Sequence, residues 1–201
     1  MPRMERSEII LEEWFGKGGG GGFDPARAKL WFSKDEEFDA HLRRRFGDDL
    51  RRAAAGEYDE WAKTPRGRLA LVILLDQFSR NIHRGTKEAF ANDEKARALV
   101  EEGLSDRVDR EYRPIERAFF YLPLEHAEDP AAQARAVELY EELLDDVPKE
   151  QRPTYEEFLD YAVQHQRIID RFGRFPHRNE ILGRETTEEE AAFLKTPGSS
   201  F

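Results

Sequence analysis

Thr64-Pro65-Arg66-Gly67-Arg68-Leu69-Ala70-Leu71-Val72-Ile73-Leu74-Leu75-Asp76-Gln77-Phe78-Ser79-Arg80-Asn81 is the stretch whose reading decides the fold. Threonine followed by proline is a helix start. The hydroxyl can accept from an unpaired N–H, and the ring presets φ for the first helical position. The run Leu69–Leu75 is then apolar on every face, which reads as a helix at the centre of a domain. Its branched residues also suit a buried strand, but its length and the proline start select helix.

Working outward, helical patterns recur and strand patterns do not. Ile10, Leu11, Trp14 and Phe15 share one face of a first helix after Ser7. Ser33 or Asp35 opens a second, with Phe38, Leu42 and Phe46 four apart, and a third continues through Leu50 to Gly56. Further helices are expected from Asn92-Asp93 to Gly103, from Arg113 to Leu122 with a stop near Pro123, and from Ala131 to Asp146 after Asp129-Pro130. Pro153-Thr154 precedes a long amphipathic helix that Phe172 ends, with Gly173 in the C′ position. The expectation is one all-α domain over residues 1–201, with a glycine-rich loop at 17–26 and a flexible tail at 195–201. Gly18 to Gly22 read as a surface loop, because no Gly-Lys-Ser/Thr follows to make a phosphate loop.

With 201 residues the chain can bury a sizeable core, and its net charge of −10 with 37% charged residues predicts an acidic, well-solvated surface. That balance argues against a nucleic-acid partner or an anionic membrane, which need a broad basic face. Two windows run against it. Residues 77–87 hold Arg80, Arg84 and Lys87 without a carboxylate, and residues 165–184 hold five arginines against Asp170 and Glu180. Local positive charge of this kind points to a held anion. The chain has no cysteine, which excludes disulfides, thiolate metal sites and cysteine nucleophiles. No apolar run approaches membrane-spanning length, and the expected location is cytoplasmic.

Three segments carry candidate chemistry. Asp76, Arg80 and Arg84 recur every four residues beside Gln77 and Asn81, so they share a helix face. They read either as a pocket wall or as an internal Asp76–Arg80 ion pair. Glu125 and His126 could act as base and acid, whereas Glu128 and Asp129 read as complements to the next helix's N-terminus. Metal geometry finds no support, since no His-Glu-x-x-His or Glu-x-x-His occurs, and no cofactor is expected. Arg171-Phe172-Gly173-Arg174-Phe175-Pro176-His177-Arg178-Asn179 is a turn after a glycine stop, with His165 near the middle of the preceding helix. Arg174 and Arg178 read there as an anion clamp or as caps on helix carbonyls.

Leu75-Asp76-Gln77-Phe78-Ser79-Arg80-Asn81, Arg84-Gly85, Arg117 through His126 and Arg174-Phe175-Pro176-His177-Arg178-Asn179 resemble the signature blocks of the bacterial domain-of-unknown-function family numbered 924. Trp14-Phe15-Gly16, Leu30-Trp31-Phe32 and Leu182-Gly183-Arg184 fit it as well, and the likeness runs from about Ile9 to Leu194. The resemblance implies a tetratricopeptide-like fold, stacked antiparallel helix pairs in a short right-handed array. It implies no activity and no catalytic residues. The polyglycine loop departs from the family's more varied loop, and Ser79 replaces an expected proline.

The functional expectation is a small carboxylate or phosphate, or a peptide, held without a cofactor. Arg80, Arg84, Arg174 and Arg178 would clamp it, Asn81 and Asn179 would orient it, and Phe78, Phe175 and Tyr121 would wall it. A hydrolase on the same pocket would take Glu125 or Asp76 as base and His126 or His177 as acid. A peptide-binding helical scaffold is the third reading. Residue types do not decide the oligomeric state.

Overall fold

A computed structural model describes residues 5–17 and 25–200, with the side chains of residues 25 and 26 left aside. Gly18 to Gly22 therefore lie outside the described residues. Among those described, the secondary structure is helical and contains no strand. The chain divides into two compact units, one built mainly from the residues up to Pro123 and the other mainly from Leu124 onward.

In the first unit, α1 (Arg6–Phe15), α2 (Pro25–Phe32) and α3 (Glu36–Ala54) lead into α4 (Pro65–Val72). Thr64 caps α4 as expected, its hydroxyl oxygen accepting from the Gly67 amide at 3.2 Å with Pro65 in the first turn. Gly67 is required there, because a Cβ would come within 2.3 Å of the Trp61 carbonyl oxygen. From α4 the helix continues through a π-helical stretch, Ile73–Phe78, into α5 (Ser79–Ile82). Leu69 through Leu75 are fully buried, and α1, α3 and α6 (Asp93–Ser105) pack around this column. Trp14 and Phe46 close on Phe78 with ring centroids 5.7 and 5.0 Å away. The expected second and third helices are one element, α3, which runs through Gly47 without a break.

Next, α7 (Pro114–Glu125) runs past Pro123 rather than stopping there. A proline in the last turn removes a single N–H, and that loss does not prevent two more residues from staying helical. Glu125 is thereby held at a helix end.

The second unit is founded on α8 (Pro130–Asp146) and α9 (Arg152–Phe172), which fold back on each other as a helical hairpin. Asp129 caps α8, its Oδ1 accepting from the amides of Ala131 and Ala132 at 2.8 and 3.3 Å. Gly173, at φ 67°, ends α9 in the left-handed conformation and donates to the Ile169 carbonyl. A short 3-10 turn (Pro176–Arg178), α10 (Asn179–Leu182) and α11 (Glu188–Phe193) follow. Phe175 is buried with Ile168 and Ile169, and Phe172 and Phe193 pack beside them. Ser199 is buried too, its hydroxyl donating to the Leu194 carbonyl at 3.1 Å.

Candidate functional site

The polar groups of the central column are bonded inside the first unit. Asp76 is fully buried; its carboxylate meets Arg80 at 2.8 Å and accepts from the Gln77 amide at 2.6 Å. Arg80 also forks onto Asp93 at 2.9 and 3.1 Å. Arg84 leaves the four-residue stripe, because α5 ends at Ile82, and bonds Asp39 through two nitrogens at 2.5 and 2.9 Å. Asn81 donates to the same carboxylate at 2.7 Å. Burial pushes the Asp39 carboxyl up, and Arg84 and Asn81 outweigh that, leaving it below its ordinary value. Phe78 lies in the core between Trp14 and Phe46. Tyr121 is buried, its hydroxyl donating to Asp109 at 2.8 Å and accepting from Arg117 at 3.0 Å.

In the second unit, Arg174, Asn179, Arg184, Glu128 and Glu190 form a clip. Arg174 bonds Glu190 at 2.6 and 2.9 Å and donates to the Glu185 carbonyl at 2.8 Å. Asn179 donates to Glu190 at 3.2 Å, and Thr187 completes a capping box on α11 with the same carboxylate. These donors, Arg174 first, hold Glu190 at a pKa of about 2. Glu128 does not cap α8. It accepts from the Phe175 amide at 2.8 Å and pairs with Arg184 at 2.6 and 2.9 Å, so it ties the turn after α9 to the start of the hairpin.

Around Phe175 a different set converges. His165 faces its ring at 5.5 Å, His177 at 5.7 Å, and the Arg178 guanidinium lies over it at 4.5 Å. His165 Nδ1 sits 2.8 Å from the Tyr161 carbonyl oxygen and 3.1 Å from Glu125 Oε1. Two oxygens against one ring nitrogen assign the proton to Nδ1 and leave Nε2 as the basic nitrogen. The His126 ring stands 6.3 Å from that of His165. Glu125, His165 and Arg178 are buried, whereas His126 and His177 are half-buried and form the side nearer solvent. Burial, with His126, Arg178 and His177 adding to it, lowers the His165 pKa to about 3. For His177 burial again leads, followed by Arg178, and the value falls to about 4. Both imidazoles are neutral near pH 7.

Glu125, His126, Phe175, His177 and Arg178 were expected site residues and meet here, while Arg174 and Asn179 belong to the neighbouring clip. His165 and Gln133 were not among the expected site residues. Each left one signal, a polar side chain on an apolar stripe: His165 with Phe158, Ala162 and Ile169 on α9, Gln133 with Ala136, Leu139 and Tyr140 on α8. Along the outer face of α9 a groove of about 720 Å³ is lined by Glu156, Glu157, Asp160 and Tyr161, a setting that repels anions. Among the described residues no three His, Asp or Glu side chains are placed to hold a metal ion.

These features define an all-α protein with a carboxylate–imidazole–guanidinium cluster buried in its helical hairpin unit. The chain belongs to the family described as "Bacterial protein of unknown function (DUF924)", matched over residues 10–198. A solved structure of the protein of unknown function ATU0120 from Agrobacterium tumefaciens is similar throughout. It shares 40% identity at a TM-score of 0.80, covering 94% of this chain and 96% of that one. No curated protein matches the chain.

Proposed function

We propose that the protein binds a small anion, a carboxylate or phosphate, at the cluster formed by His177 and Arg178 on Phe175 and by His126 beside the Glu125–His165 pair. The burial of Glu125, His165 and Arg178 in one cluster carries the reading. An apolar side chain at position 165 would fill the α9 stripe without desolvating an imidazole, so packing alone gives no reason for this cluster. The arginine of the proposed clamp is Arg178, which lies over the Phe175 ring; Arg80, Arg84 and Arg174 belong to other clusters, paired with Asp76, Asp39 and Glu190. A tetratricopeptide-like stacking of helix pairs belongs to the same reading and is supported by the α8–α9 hairpin.

The electrostatics give the proposal a signature. Burial first, then Arg178, with Arg184 and His126 adding, holds the His177 pKa down, and Glu128 opposes them. An anion beside Arg178 cancels part of that repulsion, so binding draws a proton onto His177. Titration calorimetry with sulfate, whose charge is constant across the range, should show several-fold tighter binding at pH 5.5 than at pH 7.5, with proton uptake. Equal affinity at both values, or no binding, would reject it. The Nδ1 contact to Glu125 is also the geometry of a general base oriented by a carboxylate, which supports turnover of a small ester as a second reading. Activity that survives His165→Gln would remove that reading.

A further inference from the structure

The chain after α9 has too little helix to hold its own shape. Its elements are a three-residue 3-10 turn, the four-residue α10 and the six-residue α11. Isolated helices shorter than about 12 residues are marginal in water. Side-chain bonds within the segment supply the missing order. Arg174 and Asn179 both donate to Glu190, and Arg184 donates to Asn179 Oδ1 at 3.0 Å and to the Phe175 carbonyl at 3.1 Å. Residues 174–194 are thereby tied into one body.

That body is fastened to the hairpin unit chiefly at Glu128, which accepts from the Phe175 amide and from two nitrogens of Arg184. Arg171 also pairs with Glu189 at 2.8 Å, but their side chains are 53% and 65% exposed, and such pairs are worth little. Phe175 packs on Ile168 and Ile169, and Phe193 on Phe172. On its inner side Phe175 lies 5.5 Å from the ring of His165, which is buried together with Glu125. We infer that residues 174–194 form a lid over the Glu125–His165 pair. The lid is hinged at Gly173, whose φ of 67° suits glycine, and latched by Glu128. It opens as a unit while α8 and α9 stay folded. Opening gives up the contacts between lid and hairpin and keeps those within each, whereas global unfolding gives up both. The lid governs access to the pair whatever enters, so the inference goes beyond the anion reading.

Hydrogen exchange read by mass spectrometry tests this on the full chain without any ligand, so its failure leaves anion binding untouched. Amides of residues 174–194 should exchange at least about tenfold faster than the slowest amides of α8 and α9. In Glu128→Gln, lid exchange should rise about tenfold more, the worth of one charge-assisted hydrogen bond, with α8 and α9 unchanged. Modification of His165 by diethyl pyrocarbonate, located by peptide mapping, should rise in step. Glu189→Gln, which breaks only the exposed pair, should change lid exchange less than about threefold. Exchange of the lid only at the rate of the slowest hairpin amides would overturn the inference, because the segment would then open by global unfolding alone. A lid unmoved by Glu128→Gln, or loosened as much by Glu189→Gln, would remove the latch. Faster lid exchange with His165 modified no faster would show that the segment does not cover the pair. Should Glu128→Gln fail to fold by circular dichroism, Arg184→Gln takes its place, and exchange in the unaltered protein still decides whether the lid opens alone.

Discussion

Arg80 and Arg84 in the first unit are answered by carboxylates, whereas the buried cluster of the second unit is built largely from imidazoles. Asp76, Asp93 and Asp39 neutralise Arg80 and Arg84, and the helices on which they sit hold the central column in place. Around Phe175 the groups are His165 and His177, with Arg178 over the ring, while His126 and Glu125 stand against His165. A carboxylate–guanidinium pair keeps its charge at every ordinary pH. An imidazole held neutral by burial changes charge when its surroundings do. Buried polar groups are thus inert in one place and responsive in the other.

The hardest blow to the responsive region is Phe175→Ala, which strips the ring from under three ionisable groups. It should cost about 4 kcal/mol in urea unfolding and abolish sulfate binding. A loss below about 1 kcal/mol would mean the turn after α9 is not anchored as described. In the first unit Asp76→Asn should cost about 3 kcal/mol by removing the buried charge that meets Arg80, and anion affinity should not change. An affinity change there would break the contrast.

Acid should separate the regions more gently. His165 ionises near 6.5 when unfolded and near 3 when folded, so the unfolded chain binds more protons between those values. Stability from this group is complete above about pH 6.5 and is lost as the pH falls toward 3. His177 acts the same way down to about 4. Asp39, by contrast, is lowered from 3.8 and loses its contribution only below that value. Melting temperature should therefore already fall between pH 6.5 and 4.5, and His165→Gln should flatten that slope by roughly 3 kcal/mol between pH 7 and 4. An unchanged slope would show that His165 is not buried in its neutral form.

The smallest effect is expected in the clip. Thr187→Ala removes one half of the capping box and should cost about 1 kcal/mol, measured by chemical denaturation, with sulfate affinity intact. Arg174→Ala should likewise lower the melting temperature without a ligand effect. A loss of sulfate affinity instead would return Arg174 to the clamp.

Periodicity and punctuation determined much of this protein from sequence alone. The cap at Thr64, the proline at Pro65, the stop at Gly173 and the all-apolar run Leu69–Leu75 each act within one or two helical turns. Local backbone chemistry therefore sufficed to read them, and the helical class with them. The turn around Phe175 was legible as a polar segment for the same reason, since its residues are near neighbours in the chain. Partnership was not legible. Arg84 finds Asp39 across 45 residues, Arg174 takes Glu190, and His165 is drawn in by Glu125 forty positions earlier. Spacing says which groups share a face, but hydrogen bonds and ion pairs form between faces, and only packing brings those together.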